Sequence, residues 1–132
     1  MPWRRPAQNA TTPRRDSAVL LGVLEGEFGA ELERSLRARS ASSVITTSSA
    51  QVFEVMLRAF QPEVVAIDSR LVEGKLASTL DLIRLMAPDA HVVVLIDSRP
   101  QTEDDVIYLS REKNGPESVA RTIDKIVRLD AR

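Results

Sequence analysis

No cysteine occurs in the 132 residues, so disulfides, thiol nucleophiles and cysteine-based zinc sites are excluded together. A single histidine, His91, has no second histidine or cysteine to share a metal. It precedes a strand pattern and reads as a solvated loop residue. That scarcity also removes serine triads, which need a paired histidine. Aromatic residues are only 4% of the chain, and there are five glycines. Long hydrophobic runs are missing too: Val92 to Ile96, and Ala18 to Leu24 with Gly22 inside it, fall far short of the roughly 18 residues that cross a bilayer. No apolar stretch follows the N-terminal arginines in the way a secretory signal requires. A cytoplasmic protein without a membrane segment is the simplest expectation.

What is present suits one compact domain. Apolar residues make up 43% and charged residues 28%, close to globular averages. Charge is uneven. Residues 1–16 carry Arg4, Arg5, Arg14 and Arg15 against Asp16, a net +3, and the total of −1 leaves −4 on the remainder. This first segment has three prolines and only Trp3 as a large apolar side chain, so it cannot bury enough surface to offset its ordering entropy. We read 1–16 as a disordered basic arm and 17–132 as the folded body. An acidic body gives no general attraction to nucleic acid.

From Ser17 onward, short apolar runs alternate with 3.6-residue stripes, the pattern of a doubly wound α/β parallel sheet. Strands are expected at Ala18–Leu24, Ser43–Thr47, Val64–Ile67, Val92–Ile96 and Val106–Leu109. Between them, Phe28, Leu32 and Leu36 mark one helix. Val52, Phe53, Met56, Leu57 and Phe60 mark a second, capped by Ser48 or Ser49. Leu76, Leu80, Ile83 and Ala87 mark a third, stopped by Pro88. A last helix opens at Gly115-Pro116-Glu117 and carries Val119, Ile123, Ile126 and Val127. Only eight residues separate Asp97 from Val106, fewer than a helical crossover normally takes, so the fourth crossover helix is missing or shortened. In the rival parse, Thr102 caps a helix over Ile107 to Ser110 and the fifth strand is lost; β-branched residues and Tyr108 favour the strand.

Ligands of such sheets gather beyond the carboxyl ends of the strands. That rule collects Leu24 to Glu27, Asp68 and Ser69, Asp97 and Ser98, and Ser110 and Arg111. Clustered carboxylates there could hold magnesium, and a carboxylate beside the metal could accept a phosphoryl group. Each residue also has an ordinary reading. Asp68 can cap a turn, Glu25 and Glu27 can complement a helix start, Arg111 can pair with a nearby acid, and Tyr108 can be a half-exposed strand aromatic. Gly22, Gly26 and Gly29 do not have dinucleotide-fingerprint spacing, and no Gly-Lys-Ser/Thr follows.

The order of elements, the run Pro62-Glu63-Val64-Val65-Ala66-Ile67-Asp68, the stretch from Leu82 through Pro88-Asp89-Ala90-His91 to Leu95, and Asp105-Val106-Ile107-Tyr108-Leu109 before Pro116-Glu117-Ser118 resemble the receiver domain of bacterial response regulators. The resemblance covers residues 17–130, apart from the short connection before the fifth strand. It implies a flavodoxin-like five-stranded parallel sheet of order 2-1-3-4-5, with Asp68 at the phosphoacceptor position and Tyr108 at the aromatic switch position. The family's adjacent pair of magnesium-binding acids is matched only in part, at Glu25, so the resemblance implies at most a weakened magnesium site on Glu25 and Asp68. The hydroxyl position falls on Ile96 or Asp97, with Ser98 displaced. The lysine position falls on Arg111, which keeps the charge of lysine but not its compact shape.

These departures imply an atypical receiver, or pseudo-receiver, with impaired phosphorylation. It would act by protein-protein interaction in signal transduction, as a single domain with no output domain, and not as an enzyme. The expected partner is a signalling protein, with a histidine kinase or a second copy of the chain as further expectations. The alternatives are a receiver phosphorylated on Asp68, a small nucleotide- or metal-binding module of the same fold, and an arm that docks on nucleic acid.

Overall fold

In the computed structural model, residues 18–39, 43–97 and 105–130 are described. The order is β1 (Ala18–Gly22), α1 (Glu27–Arg39), β2 (Ser43–Thr47), α2 (Ala50–Ala59), β3 (Val64–Asp68), a 3-10 turn (Ser69–Val72), α3 (Leu76–Met86), β4 (His91–Ile96), β5 (Val106–Ser110) and α4 (Pro116–Asp130). All four strand pairings are parallel, and the sheet order is β2-β1-β3-β4-β5, as the resemblance implied. Val106 to Ser110 is a strand, so the helical parse of that segment is corrected. The expected basic arm, Ser98 and most of the short connection before β5 lie outside the described residues. Among the described residues, four α-helices are present.

Strand alternation explains the two layers. Odd positions of β1 (Val19, Leu21) and even positions of β3 (Val64, Ala66) face α1 and α4, meeting Leu32, Leu36, Val119 and Ile123. Leu20, Val65, Ile67, Val92 and Val94 face the other way, onto Phe53 and Leu57 of α2 and Leu80 and Ile83 of α3. β1, β3 and β4 are covered on both faces and therefore read in the sequence as continuous apolar runs.

Some boundaries differ from the periodicity. β1 stops at Gly22, not Leu24; the Val23 N–H still donates to the Thr47 carbonyl at 3.0 Å, and the Val23 side chain lies against Gly29 of α1. A Cβ on Gly22 would lie 2.8 Å from Phe53 Cδ1, so this position lets α2 approach the strand. Ser49, and not Ser48, caps α2, its hydroxyl accepting from the Val52 N–H at 3.2 Å. The expected five-residue face of α2 is narrower than its periodicity implies. Phe53 and Leu57 are buried, while Val52 is 40% and Phe60 45% exposed, Phe60 having left the helix for an extended cap conformation. No helix among the described residues is long and apolar enough to cross a membrane.

Candidate functional site

Parallel pairing brings the carboxyl ends of the five strands to one rim. Asp68 ends β3 and pairs in register with Leu95, Ile96 of β4 pairs with Ser110 of β5, and the Arg111 N–H donates to the Ile96 carbonyl at 2.8 Å. Consequently Asp68, Asp97 and Arg111, far apart in sequence, become neighbours.

Asp68 is buried at the tip of the central strand, and its carboxylate is held from two sides. Oδ1 accepts from Arg111 Nη1 at 2.7 Å, from the Arg70 backbone N–H at 2.9 Å and from Arg70 Nε at 3.3 Å. Oδ2 accepts from Arg70 Nη2 at 3.1 Å. Only 6% of the Arg111 side chain and 2% of the Asp68 side chain are exposed. Removal of Arg111 would leave Asp68 buried against the half-exposed Arg70 alone, and breaking a buried pair in this way generally costs about 3–5 kcal/mol. Donating to the Asp68 carboxylate raises the Arg70 guanidinium above its ordinary value, against a smaller opposing effect of burial.

Arg111 also faces Asp97. Its Nε donates to Asp97 Oδ1 at 3.1 Å, and its Nη2 lies beside the same oxygen as an ion pair without hydrogen-bond alignment. Asp97 is 60% exposed, so its share of the contact is screened by water. Ser110 supports the turn beneath, its hydroxyl accepting from the Glu112 N–H at 3.3 Å, while the Asn114 amide donates to the Ser110 carbonyl at 3.0 Å. The rim therefore holds two carboxylates and two guanidinium groups, a locally neutral cluster.

The two readings of Asp68 coincide here. It ends the central strand β3, where the resemblance expected a phosphoacceptor, and it caps the 3-10 turn through the Arg70 N–H. Arg111 pairs with Asp68 as its charge allowed. Tyr108 lies half-buried against the α2–α3 layer. His91 is the exposed first residue of β4.

Glu25 is a different case. It is exposed in the turn after β1 and has no ion-pair or hydrogen-bond partner among the described residues. It lines a cavity of about 290 Å³ with Gly26, Glu33, Thr46 and Thr47, and Asp68 is not part of that lining. A magnesium ion needs several hard oxygens converging on one point. No group of three or more His, Cys, Asp or Glu among the described residues supplies them, and both Asp68 oxygens already face guanidinium groups. The residues therefore do not fit the ion as a resident group.

Arg70 is the site residue that sequence reasoning missed. The signal was a basic residue two positions beyond a strand-terminal aspartate, a spacing that lets the aspartate accept the backbone N–H while the guanidinium folds back.

No protein-family model and no curated protein sequence matches the chain. Solved structures do. A response regulator receiver domain protein from Bacillus halodurans C-125 superposes with a TM-score of 0.71 at 17% identity, covering 85% of this chain and 97% of that one. An atypical orphan response regulator, whose structure is described as revealing a new phosphorylation-independent regulatory mechanism, superposes with a TM-score of 0.66 at 18% identity, covering 84% and 95%. The chain has the receiver fold over nearly the whole length of both neighbours.

Proposed function

We propose that this receiver-fold protein is a signalling module that works by binding a partner protein, with an output that does not depend on phosphorylation of Asp68. One observation carries the reading: the buried 2.7 Å pair between Asp68 and Arg111. A phosphoacceptor carboxylate must be free to attack, and the charge that develops on the transferred group must be neutralised, commonly by a metal. In this protein Oδ1 is committed to three donors, and the position of the second metal-binding acid is filled by Leu24 or Gly26. The hydroxyl position falls on Ile96 or Asp97, neither of which supplies a hydroxyl, and Asp97, bonded to Arg111, adds a negative charge to the same cluster.

Arg111 supplies from within the protein a cation opposite Asp68. Held there without a phosphoryl group, it supports one fixed arrangement of the β3, β4 and β5 tips, suited to constitutive binding. The structural neighbour described as phosphorylation-independent adds weight to this reading. The partner class is a signalling protein; a histidine kinase donor is the outcome the test must separate from it.

The test is intact-mass measurement after incubation with acetyl phosphate and magnesium, together with affinity capture from native cells using wild type and Asp68→Asn. An unmodified mass and capture of the same proteins by both forms are expected. Stoichiometric addition of a phosphoryl group at Asp68, or loss of the captured proteins on substitution, would overturn the proposal.

A further inference from the structure

Six large apolar side chains are exposed among the described residues, and three of them belong to α2 and its cap: Val52 at 40%, Val55 at 63% and Phe60 at 45%. Val52, Val55 and Ala59, spaced by three and four positions, share the outward face of the helix, opposite the buried Phe53 and Leu57. The charges beside this stripe also differ from those elsewhere. α1, α3 and α4 pair opposite charges at three- or four-residue spacing, in Glu31–Arg34, Glu33–Arg37, Asp81–Arg84 and Asp124–Arg128. α2 has the same spacing at Glu54 and Arg58, both exposed, and neither makes an ion pair or hydrogen bond among the described residues.

We propose that α2 is a self-association surface, and that its occupant is α2 of a second copy, lying antiparallel across a two-fold axis at the level of Met56. Register decides the partner. Glu54 and Arg58 are each two positions from Met56, so that axis sets Glu54 of one copy opposite Arg58 of the other, twice per dimer and along the same flank. Val52 and Phe60 are each four positions from Met56, so the same axis sets one against the other. The charge pair and the apolar pair thus share one centre, with Val55 beside it. A parallel arrangement would set Glu54 against Glu54 and Arg58 against Arg58, which repel. One ten-residue helix is about 15 Å long, which makes a small, reversible interface. The pairing does not rest on the reading of Asp68.

Sedimentation velocity of the full chain over a range of concentrations tests the pairing. Wild type should shift from monomer to dimer as concentration rises. Val55→Glu places a charge at the centre of the contact and should keep the chain monomeric. Glu54→Arg leaves two cations on the flank and Arg58→Glu two anions, so each alone should weaken the dimer by about tenfold or more. Mixed one to one, the two charge variants should associate again as a heterodimer, because their flanks are then complementary. All three substitutions are at exposed positions, and an unchanged circular dichroism spectrum checks the fold. The proposal is overturned by a wild type that stays monomeric at every concentration, by a dimer that survives Val55→Glu, which would put the contact on another face, or by a mixture of the charge variants that associates no better than either alone.

Discussion

The rim of the sheet has two unlike halves. Over β3, β4 and β5, Asp68, Asp97, Arg70 and Arg111 neutralise one another at hydrogen-bond distance. Over β1 and β2, Glu25 is solvent-exposed beside an open cavity. The same topology positions both halves, so the difference lies in which side chains meet and not in the backbone. A buried carboxylate requires a partner, and the β3–β5 half supplies two; an exposed one is stabilised by water and needs none. Acids at equivalent places on a rim thus do different things: Asp68 ties strands together, and Glu25 is left to solvent.

Three experiments bear on this contrast, the largest effect first. Arg111→Ala should destabilise the protein by about 3–5 kcal/mol, because it leaves Asp68 buried with only the half-exposed Arg70, whereas Glu25→Ala should stay within about 0.5 kcal/mol. Urea unfolding midpoints measure both, and equal shifts would abolish the distinction between the halves. Gly22→Ala probes whether the open half rests on a tight foundation. Its Cβ would press on Phe53 and Leu71, so a loss of about 1–3 kcal/mol is expected by the same assay, and a neutral result would show that α2 yields.

The smallest effect concerns exposed charges away from the buried pair. Hydrogen bonds from Ser35 and then Arg39 hold the Glu117 carboxyl below its ordinary value of 4.5. A lowered folded-state value means the contribution is present above the unfolded value and is lost as pH falls through the folded one. Glu117→Gln should therefore lower stability slightly at neutral pH, and the difference from wild type should shrink as pH falls below 4.5, as read from thermal midpoints across that range.

Much of this architecture was legible because burial on both faces writes itself as unbroken runs. Val64 to Ile67 and Val92 to Ile96 were readable for that reason, and the strand-terminal position of Asp68 followed from them. β5 was harder: as an edge strand it is only partly buried, and Ile107 is 39% exposed, so its β-branched composition had to stand in for a pattern. Helix faces were read too generously at Val52 and Phe60, since periodicity records which residues share a side but not how far the neighbouring layer extends. At the site, Asp68 and Arg111 were visible as candidates from their places at strand ends. Arg70 was not, because folding back onto a residue two positions earlier depends on a local turn that leaves no periodic trace.

The bond between positions 68 and 111 spans 43 residues and requires β3, β4 and β5 to be in register before it can close. Closing it requires chain segments that are distant in sequence to meet, which is the kind of contact that slows folding. Cutting it therefore divides its stability loss between slower refolding and faster unfolding, and the two arms of a chevron for Arg111→Ala report how early the three strand tips come together.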